Sequence, residues 1–485
     1  MVGDLKNMNI EFGPFMAKGL RRFIMFYFVR FTLLSLCFAP LTSRADMTPT
    51  SELNVWVMST TAQPQQDMKE ILRPFLLANP HLRVNVTVLN WESAWAKINA
   101  AADSGQGPDV VELGSTWVAS ILSKNVLEAV PSDLMKSLGG QQQFLPALWS
   151  SSHLYRDERV YALPWYGGAR VAFYRTDLFK QAGIRAEDAF ANWGSFKQAM
   201  RKLQSLKVDG KPIAALGYPG KHDWDILHNL APWIWNAGGD FLSKDQTRSS
   251  INSPETLQAI TFFKSFAEEG LVPTSALEKD SAQIEMAFFR GEFAVIFSGP
   301  WVLKVLSTEK AKGGQKESHT AANFSVAPYP AGIRGNQTLF SGSNLAVMKS
   351  SKNKEEAWRL LQFLMSREVQ VKYSLLSGML PARVDALHDP SLLKVAHYAD
   401  FLEQIKLGRH YPVVPAWGKL ENVFRSSIGQ VMTANAKPND SQPIEKLSKE
   451  TASTIGVGVN SNAFSIKKIL DKAAYEADQI LKAKP

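Results

Sequence analysis

The stretch from residue 53 to residue 89, LNVWVMSTTAQPQQDMKEILRPFLLANPHLRVNVTVL, contains the pattern that decides the fold. Residues 53–58 are rich in strand formers, and residues 65–79 repeat apolar side chains at helical spacing before Pro80. Residues 82–89 alternate between apolar and polar side chains, as a strand does. A strand, a helix and a second strand with short links predict a βαβ unit.

The same alternation continues along the chain, with a predicted helix over 91–105, a strand over 108–113 and a helix over 116–125. This order predicts an α/β fold with a parallel, doubly wound sheet. Ligands of such sheets bind beyond the carboxyl ends of the strands. The side chains that directly follow the three strands are polar or aromatic, as a binding edge requires: Ser59, Thr60, Thr61, Asn90, Trp91, Glu92, Ser115, Thr116 and Trp117.

The later part of the chain mixes longer helices with isolated strands. Helices are predicted over 193–206, 254–270 and 464–482, and a strand followed by a helix over 339–366. The segment 438–463 is rich in Ser, Thr, Asn and Gly, which predicts an extended loop.

A buried strand, FAVIF, breaks at Ser-Gly-Pro directly before Trp301. This tryptophan is therefore either a core residue under a loop or a flat platform at the mouth of a cleft.

The N-terminus has the pattern of a secretory signal peptide. Basic residues up to Arg22 precede two apolar runs, and Ser43 and Ala45 stand three and one before a cleavage point. We predict a signal peptide over 1–45; the alternative is a retained membrane anchor, for which the interrupted apolar run falls short of the roughly 20 residues needed. Lipidation at Cys37 is the weaker interpretation, because Leu36 stands where a small residue is usual.

Composition and charge limit the class of protein. The chain has 485 residues, a single cysteine and a formal charge of +9. The first 45 residues carry six basic and two acidic side chains, which leaves +5 for the remainder. Cleavage after Ala45 would leave no cysteine, and export without disulfides suits a bacterial periplasm. Because the basic residues are not clustered, we expect no nucleic-acid partner.

The usual motifs of catalysis are missing from the sequence. His222 and His228 are six residues apart and do not share one helical face, so no metal site is expected. Several carboxylates could still pair as they do in a glycosidase, and this alternative stays open: Glu92, Glu112, Asp223 and Asp225.

The chain contains 13 tryptophans, and many of them stand at chain breaks. Aromatic platforms beside a few polar groups are typical of a sugar site. The tryptophans at strand ends or turns are Trp91, Trp117, Trp165, Trp224, Trp301 and Trp417. Trp95, Trp193 and Trp358 fall at helical positions and are predicted to pack.

Five segments, in this order, resemble the bacterial extracellular solute-binding proteins of family 1, the maltose-binding-protein-like receptors of carbohydrate ABC importers. They are GQGPDVVELGSTWVASILSKNVLEAV (105–130), YALPWYGGARVAFYRTDLF (161–179), APWIWNAGGDFL (231–242), FFRGEFAVIFSGPW (288–301) and SGSNLAVMKSSKNKEEAWRLLQFL (341–364). The resemblance runs from residue 53 to residue 424 and recurs in the final helix.

The resemblance implies a periplasmic-binding-protein-like fold of type II, with two lobes that each have a central sheet flanked by helices and are joined by a hinge. The first lobe would be 46–165 with 342–384, and the second 166–341 with 385–485. It further implies a monomer without cofactor or catalysis that binds a sugar and delivers it to membrane permease subunits. Two features depart from the family: Tyr174-Arg175 replaces a frequent Tyr-Asn pair, and the segment 438–463 precedes the final helix.

The candidate ligand-binding residues follow from the strand ends and from positions matched to the family's motifs. Trp301 matches a stacking position, and Arg383 matches an arginine that bridges sugar hydroxyls. The full set is Thr60, Thr61, Trp91, Glu92, Ser115, Thr116, Trp117, Trp165, Tyr166, Asp223, Trp224, Trp301, Ser341, Gly342, Ser343, Asn344, Arg383 and Trp417.

The sequence leaves three alternative functions open. A binder of an anionic solute such as a glycerophosphodiester would use the same fold with more donors. A secreted glycosidase would need two carboxylates in one cleft. A sensor ligand presented to a membrane receptor would differ only in its partner.

Overall fold

The structure is a computed structural model that describes residues 51–154, 157–208, 210–220, 225–433 and 461–483, with side chains from 464 in the last segment. The predicted signal peptide, Asp223, Trp224 and most of the predicted loop 438–463 lie outside the described residues.

The strands form two large sheets and one small hairpin. One sheet has seven strands in the order β12-β4-β11-β3-β1-β2, with β13 added to β11; the second has the order β10-β5-β9-β8, and β6 pairs with β7. The strands are β1 (Ser51–Met58), β2 (Leu82–Leu89), β3 (Val110–Gly114), β4 (Leu163–Ala169), β5 (Val171–Arg175), β6 (Lys207–Val208), β7 (Lys211–Pro212), β8 (Ala214–Gly217), β9 (Phe293–Ser298), β10 (Phe324–Ala327), β11 (Thr338–Val347), β12 (Leu380–Pro381) and β13 (Gly408–Arg409).

Helices surround both sheets. They are α1 (Pro64–Ala78), α2 (Trp91–Ser104), α3 (Val118–Leu122), α4 (Ser132–Ser137), α5 (Pro146–Trp149), α6 (Thr176–Gln181), α7 (Ala186–Ala189), α8 (Trp193–Gln204), α9 (Ile226–Ala237), α10 (Pro254–Glu268), α11 (Thr274–Leu277), α12 (Ser281–Phe289), α13 (Trp301–Ser307), α14 (His319–Ala322), α15 (Lys354–Leu364), α16 (Arg367–Ser377), α17 (Pro390–Leu393), α18 (Tyr398–Ile405), α19 (Trp417–Thr433) and α20 (Ser461–Lys482).

The βαβ unit forms as its sequence predicts. Helix α1 begins at Pro64 and buries Met68, Ile71, Leu72 and Phe75, the i, i+3, i+4 and i+7 positions of one face. Strands β1 and β2 run parallel over their whole length, with Met58 opposite Leu89. Their carboxyl ends therefore reach the same edge of the sheet, and the residues that follow them meet there.

The parallel sheet predicted from residues 53–113 is confirmed for β1, β2 and β3, but the complete sheet is mixed. Strand β3 pairs with β1 in parallel, but β11 pairs with both β3 and β4 in antiparallel fashion, and β12 pairs antiparallel with β4. The sheet is mixed because β11 returns from the second sheet and enters between β3 and β4.

The chain forms two α/β lobes, the first around the seven-stranded sheet and the second around the four-stranded sheet. It passes from one sheet to the other at Arg170, which separates β4 from β5. Strand β11 forms a second link, because it belongs to the seven-stranded sheet and follows β10 of the four-stranded sheet along the chain. The residue-level lobe boundaries given above stay predictions.

The final helix packs against the second lobe. It begins at Ser461, so the predicted loop ends three residues earlier than expected. Ile466, Leu470 and Ala473 are buried, and Asp471 accepts a hydrogen bond from the Asn252 side chain at 2.9 Å. Within the described residues, no helix has both the length and the apolar character needed to cross a membrane.

Candidate functional site

A cleft of about 820 Å³ is lined by residues of both lobes. Its size lies within the range of small-molecule sites. Ten of the predicted residues line it: Thr60, Trp91, Glu92, Ser115, Thr116, Trp117, Tyr166, Trp301, Ser341 and Gly342.

The first wall of the cleft is the carboxyl edge of β1, β2 and β3. Trp91 is the first residue of α2, whose N-terminus is capped by Asn90 through a bond from the Glu92 amide. Trp117 directly precedes α3. The edge predicted from the strand order is therefore the edge that faces the cleft.

Three tryptophans pack together on this wall. The rings of Trp91 and Trp95 each lie 5.4 Å from the ring of Trp117, at tilted angles. All three are half-buried and line the cleft. Trp95, which was predicted only to pack, is thus part of the aromatic surface. The Gly418 backbone lies so close that a Cβ there would stand 3.0 Å from the Trp95 ring.

The floor of the cleft rests on a buried polar chain. Tyr166 donates to Glu112 Oε1 at 2.6 Å, contacts Thr60 Oγ1 at 2.8 Å and accepts from Ser343 Oγ at 3.0 Å. Glu112 Oε2 accepts from the Met58 amide at 2.9 Å. Burial raises the pKa of Glu112, and the hydrogen bonds from Tyr166 and Met58 oppose that rise.

The second wall contains a buried ion pair. Arg170 forms two hydrogen bonds to the Asp225 carboxylate, and both side chains are nearly inaccessible to water. Asp225 also accepts from Ser281 Oγ at 2.9 Å and from Asn229 Nδ2 at 3.2 Å. The charge of Asp225 is therefore compensated within the protein.

Trp301 is held on this wall by two polar contacts. Its Nε1 donates to Glu285 Oε1 at 2.9 Å, and the Arg170 guanidinium stands 5.0 Å from its ring centroid. Burial raises the pKa of Glu285 to about 6, against the hydrogen bonds from Ser298 and Trp301. The Trp301 side chain is half-buried and lines the cleft, which is the position of a platform and not of a core residue.

Helix α19 supplies a further rim of charged and polar residues: Glu421, Asn422 and Arg425. Burial raises the pKa of Glu421 to about 7, although Arg425 lowers it in part. Asn422 accepts a hydrogen bond from Arg425 at 3.2 Å.

The remaining predicted residues do not line the cleft. Trp165 and Trp417 are fully buried, against Tyr373 and Tyr411 respectively. Arg383 is engaged by Asp385 and by the Leu138 carbonyl. Ser343 and Asn344 lie beneath the surface, where Ser343 donates to Tyr166 and Asn344 donates to Ser151. Thr61 is half-buried, and its Oγ1 is buried with no hydrogen-bond partner among the described residues. Asp223 and Trp224 lie outside the described residues, so their roles stay predictions.

Several lining residues were not predicted to form the site: Trp95, Ala96, Gly168, Arg170, His228, Asp280, Ser281, Ala282, Glu285, Met379, Gly418, Glu421, Asn422 and Arg425. Asp225 also lines the cleft and had been considered only as a carboxylate of the glycosidase alternative. A sequence signal existed for Asp280 and Ser281, because the capping box of Asp280 and Gln283 marks the start of α12 beside the cleft. For Arg170 and α19 we find no comparable signal. Within the described part of the chain, no group of three His, Cys, Asp or Glu side chains could hold a metal ion.

Comparison with known proteins gives consistent matches. Residues 59–371 match the family of bacterial extracellular solute-binding proteins. A protein of Brucella abortus (strain 2308), named only as a binding protein, is 25% identical over 409 residues, which cover 84% of this chain and 94% of that protein. The diacetylchitobiose-binding protein DasA of Streptomyces coelicolor is 25% identical over 381 residues, 76% of this chain and 82% of its own.

A solved structure supports the fold. An ABC transporter solute-binding protein of Thermotoga lettingae, crystallised with α-D-tagatose, superimposes with a TM-score of 0.74 at 21% identity. The match covers 89% of this chain and the whole of that chain.

Proposed function

Because the chain belongs to the bacterial extracellular solute-binding proteins, we propose that it is the substrate-binding protein of an ABC importer. It captures a sugar or oligosaccharide between its lobes and delivers it to the membrane permease. One observation carries the proposal: the cleft combines Trp91 and Trp117 on one wall with Trp301 on the other, among hydroxyl and carboxylate groups. Aromatic faces stack on sugar rings, and the polar groups serve the hydroxyls.

The named ligands of relatives support a saccharide. The Streptomyces relative binds diacetylchitobiose, and the Thermotoga structure contains tagatose. Stacking platforms accept many sugar rings, so the size and linkage of the ligand depend on the hydroxyl contacts.

The charge of the cleft disfavours the anionic solute. Among the lining residues that the structure describes, five are carboxylates and two are arginines. One of the arginines, Arg170, is committed to Asp225. A glycerophosphodiester would therefore meet a wall with excess negative charge, although the chain as a whole is basic.

Two of the carboxylates considered for a glycosidase are engaged within the protein. Of the four residues considered for a glycosidase, Glu112 is inaccessible beneath Tyr166, and Asp225 is paired with Arg170. A general acid and a nucleophile both have to reach the scissile bond. Because Glu92, Glu285 and Glu421 still line the cleft, the proposal that this protein binds its ligand unchanged rests on its family.

Ligand binding would act through the two links between the lobes. A sugar that contacts both walls favours the closed form, because only that form allows both sets of contacts. The permease would recognise this form of a monomeric, exported protein in the periplasm. Mass spectrometry of protein released by osmotic shock should find Asp46 at the N-terminus.

Tryptophan fluorescence tests the proposal directly. The protein is titrated with mono-, di- and trisaccharides and with glycerol phosphates, beside a Trp301→Ala variant and a Trp358→Phe control on α15. A saturable change with one class of sugar, lost in Trp301→Ala and kept in the control, is expected. Saturation with glycerol phosphates alone would favour the anionic rival, and release of a cleaved product would establish an enzyme. No response to any compound would refute the proposed function.

A further inference from the structure

The buried hydrogen bonds beneath the cleft floor all donate in one direction, toward Glu112. Glu112, on β3, has no exposed surface, yet it is linked through Tyr166 to Thr60, which lines the cleft. The separation of 2.6 Å between Tyr166 and Glu112 is typical of a hydroxyl that donates to an ionised carboxylate. The other carboxylate oxygen accepts from the Met58 amide. Both oxygens of Glu112 therefore act as acceptors.

The direction of the remaining bonds follows from the number of protons available. Tyr166 has one hydroxyl proton, and it goes to Glu112. Its two lone pairs are left for its other partners, so Ser343 and Thr60 must both donate to it. The proton of Thr60 thus points into the protein. Its oxygen also faces the Tyr373 hydroxyl, so one lone pair is left for the cleft.

We propose that Glu112 is a positioning residue for ligand recognition: it sets the hydrogen-bond direction of Thr60 and makes that hydroxyl an acceptor for a donating group of the ligand. This inference rests on the proposed function, since it requires a saccharide in the cleft. It assigns a role in specificity to a side chain that does not contact the ligand.

Replacement of the Glu112 carboxylate by an amide should exchange the donor and the acceptor in the hydrogen bond between Tyr166 and Thr60. The Met58 amide still needs an acceptor, so the oxygen of a Glu112→Gln side chain remains there and its NH₂ group faces Tyr166. Tyr166 then accepts from the amide and has its own proton to give. Ser343 also lies beside the Glu112 carboxyl, so it can accept the second amide proton while still donating to Tyr166. Tyr166 therefore donates its proton to Thr60, and the proton of Thr60 then points into the cleft.

A comparison of hydroxyl with fluorine detects this reversal, because fluorine can accept a hydrogen bond but cannot donate one. Maltose and N,N′-diacetylchitobiose, each with its singly deoxyfluorinated analogues, are titrated into the full-length protein. The variants are Glu112→Gln and Glu355→Gln, the latter a control whose side chain is 89% exposed on α15. In the unmodified protein one fluorinated position should weaken binding roughly 2- to 10-fold, the size of one hydrogen bond between neutral groups.

In Glu112→Gln the penalty at that one position should disappear, while the penalties at other positions persist. Glu355→Gln should behave as the unmodified protein does. A loss of affinity that is equal for every analogue is what a merely structural residue would cause, and it would overturn the inference.

Thr60→Val gives a second route that does not depend on the stability of Glu112→Gln. In Thr60→Val alone, fluorine at that same sugar position should no longer weaken binding. In its background, Glu112→Gln should cause no further change in affinity. If Glu112→Gln still alters the pattern without the Thr60 hydroxyl, the proposed route through Thr60 is wrong.

A measurement without ligand separates this inference from the proposed function. In the proton NMR spectrum of tyrosine-labelled protein, the short bond to Glu112 should give a low-field hydroxyl resonance, assigned by its loss in Tyr166→Phe. The resonance should move upfield in Glu112→Gln. If neither sugar binds, the proposed function fails while this spectrum still decides the direction of the bond. Absence of the resonance from the unmodified protein refutes the inference.

Discussion

Replacement of Glu285 by Gln should change how the stability of the protein depends on pH. Glu285 lies in the second wall of the cleft and accepts hydrogen bonds from Trp301 Nε1 and Ser298 Oγ. Burial raises its pKa from an ordinary value of 4.5 to about 6. The carboxylate is therefore less favourable in the folded protein than in the unfolded chain.

The magnitude follows from the two pKa values. The difference between 4.5 and about 6 corresponds to about 2 kcal/mol at 1.36 kcal/mol per pKa unit. Because the side chain is only partly buried by surface area, about 1 to 2 kcal/mol is expected. The folded state binds the extra proton between these pKa values, so the free energy of unfolding should fall as pH rises from 4.5 to 6 and then stay level.

Urea unfolding of the unmodified protein and of Glu285→Gln between pH 4 and pH 8 tests this expectation. The variant should lack the fall, so its stability relative to the unmodified protein should rise by about 1 to 2 kcal/mol from pH 4 to pH 8. Glu355→Gln, at an exposed site, should give curves parallel to those of the unmodified protein. Parallel curves for Glu285→Gln as well would refute the reasoning. The fluorescence of Trp301 should also titrate near pH 6 and lose that step in the variant.

Three other substitutions test the placement of the remaining side chains. Trp417→Ala should lower the free energy of unfolding by about 3 to 5 kcal/mol, the range for a large aromatic in a core, while the protein that folds retains its sugar affinity by fluorescence titration. Arg383→Ala should change sugar affinity less than twofold, because the guanidinium is engaged by Asp385. A tenfold loss of affinity would show that Arg383 does contact the ligand. Arg170→Leu should cost about 3 to 5 kcal/mol in urea unfolding, since it leaves the Asp225 charge buried without its partner.

The first wall of the cleft could be predicted from the sequence because it depends on local order. Strands β1, β2 and β3 run parallel, so the residues after each of them meet at one edge. That rule places Thr60, Trp91 and Trp117 without knowledge of any distant contact. The register and direction of β11 are not local in this way, and they made the sheet mixed instead of parallel.

Trp301 was predicted on the second wall, but the contacts that hold this wall together could not be predicted, because they join groups that are not neighbours in the chain. Arg170 meets Asp225 across 55 residues, and Trp301 meets Glu285 across a helix and a strand. No spacing in a single sequence indicates that a given carboxylate lies beside a given arginine. The presence of Glu421 in the cleft likewise depends on how α19 lies against the first lobe.

Four tryptophans show that a chain break before the residue does not distinguish a platform from a core residue. Trp91, Trp193, Trp301 and Trp417 are each the first residue of a helix that follows a chain break. Two of them line the cleft and two are buried in the core. A chain break before a tryptophan therefore does not indicate that its side chain lines the cleft.

What separates the two pairs is the element that comes before the break. Trp91 and Trp301 directly follow β2 and β9, strands of the two large sheets, whereas Trp193 follows the short helix α7 and Trp417 follows an irregular segment after β13. The carboxyl end of a sheet strand points toward the cleft, and a helix that begins there presents its first side chain to the ligand. Trp117, which follows β3, obeys the same rule. A tryptophan after a turn is thus a poor predictor of a sugar platform, and a tryptophan after a sheet strand is a better one.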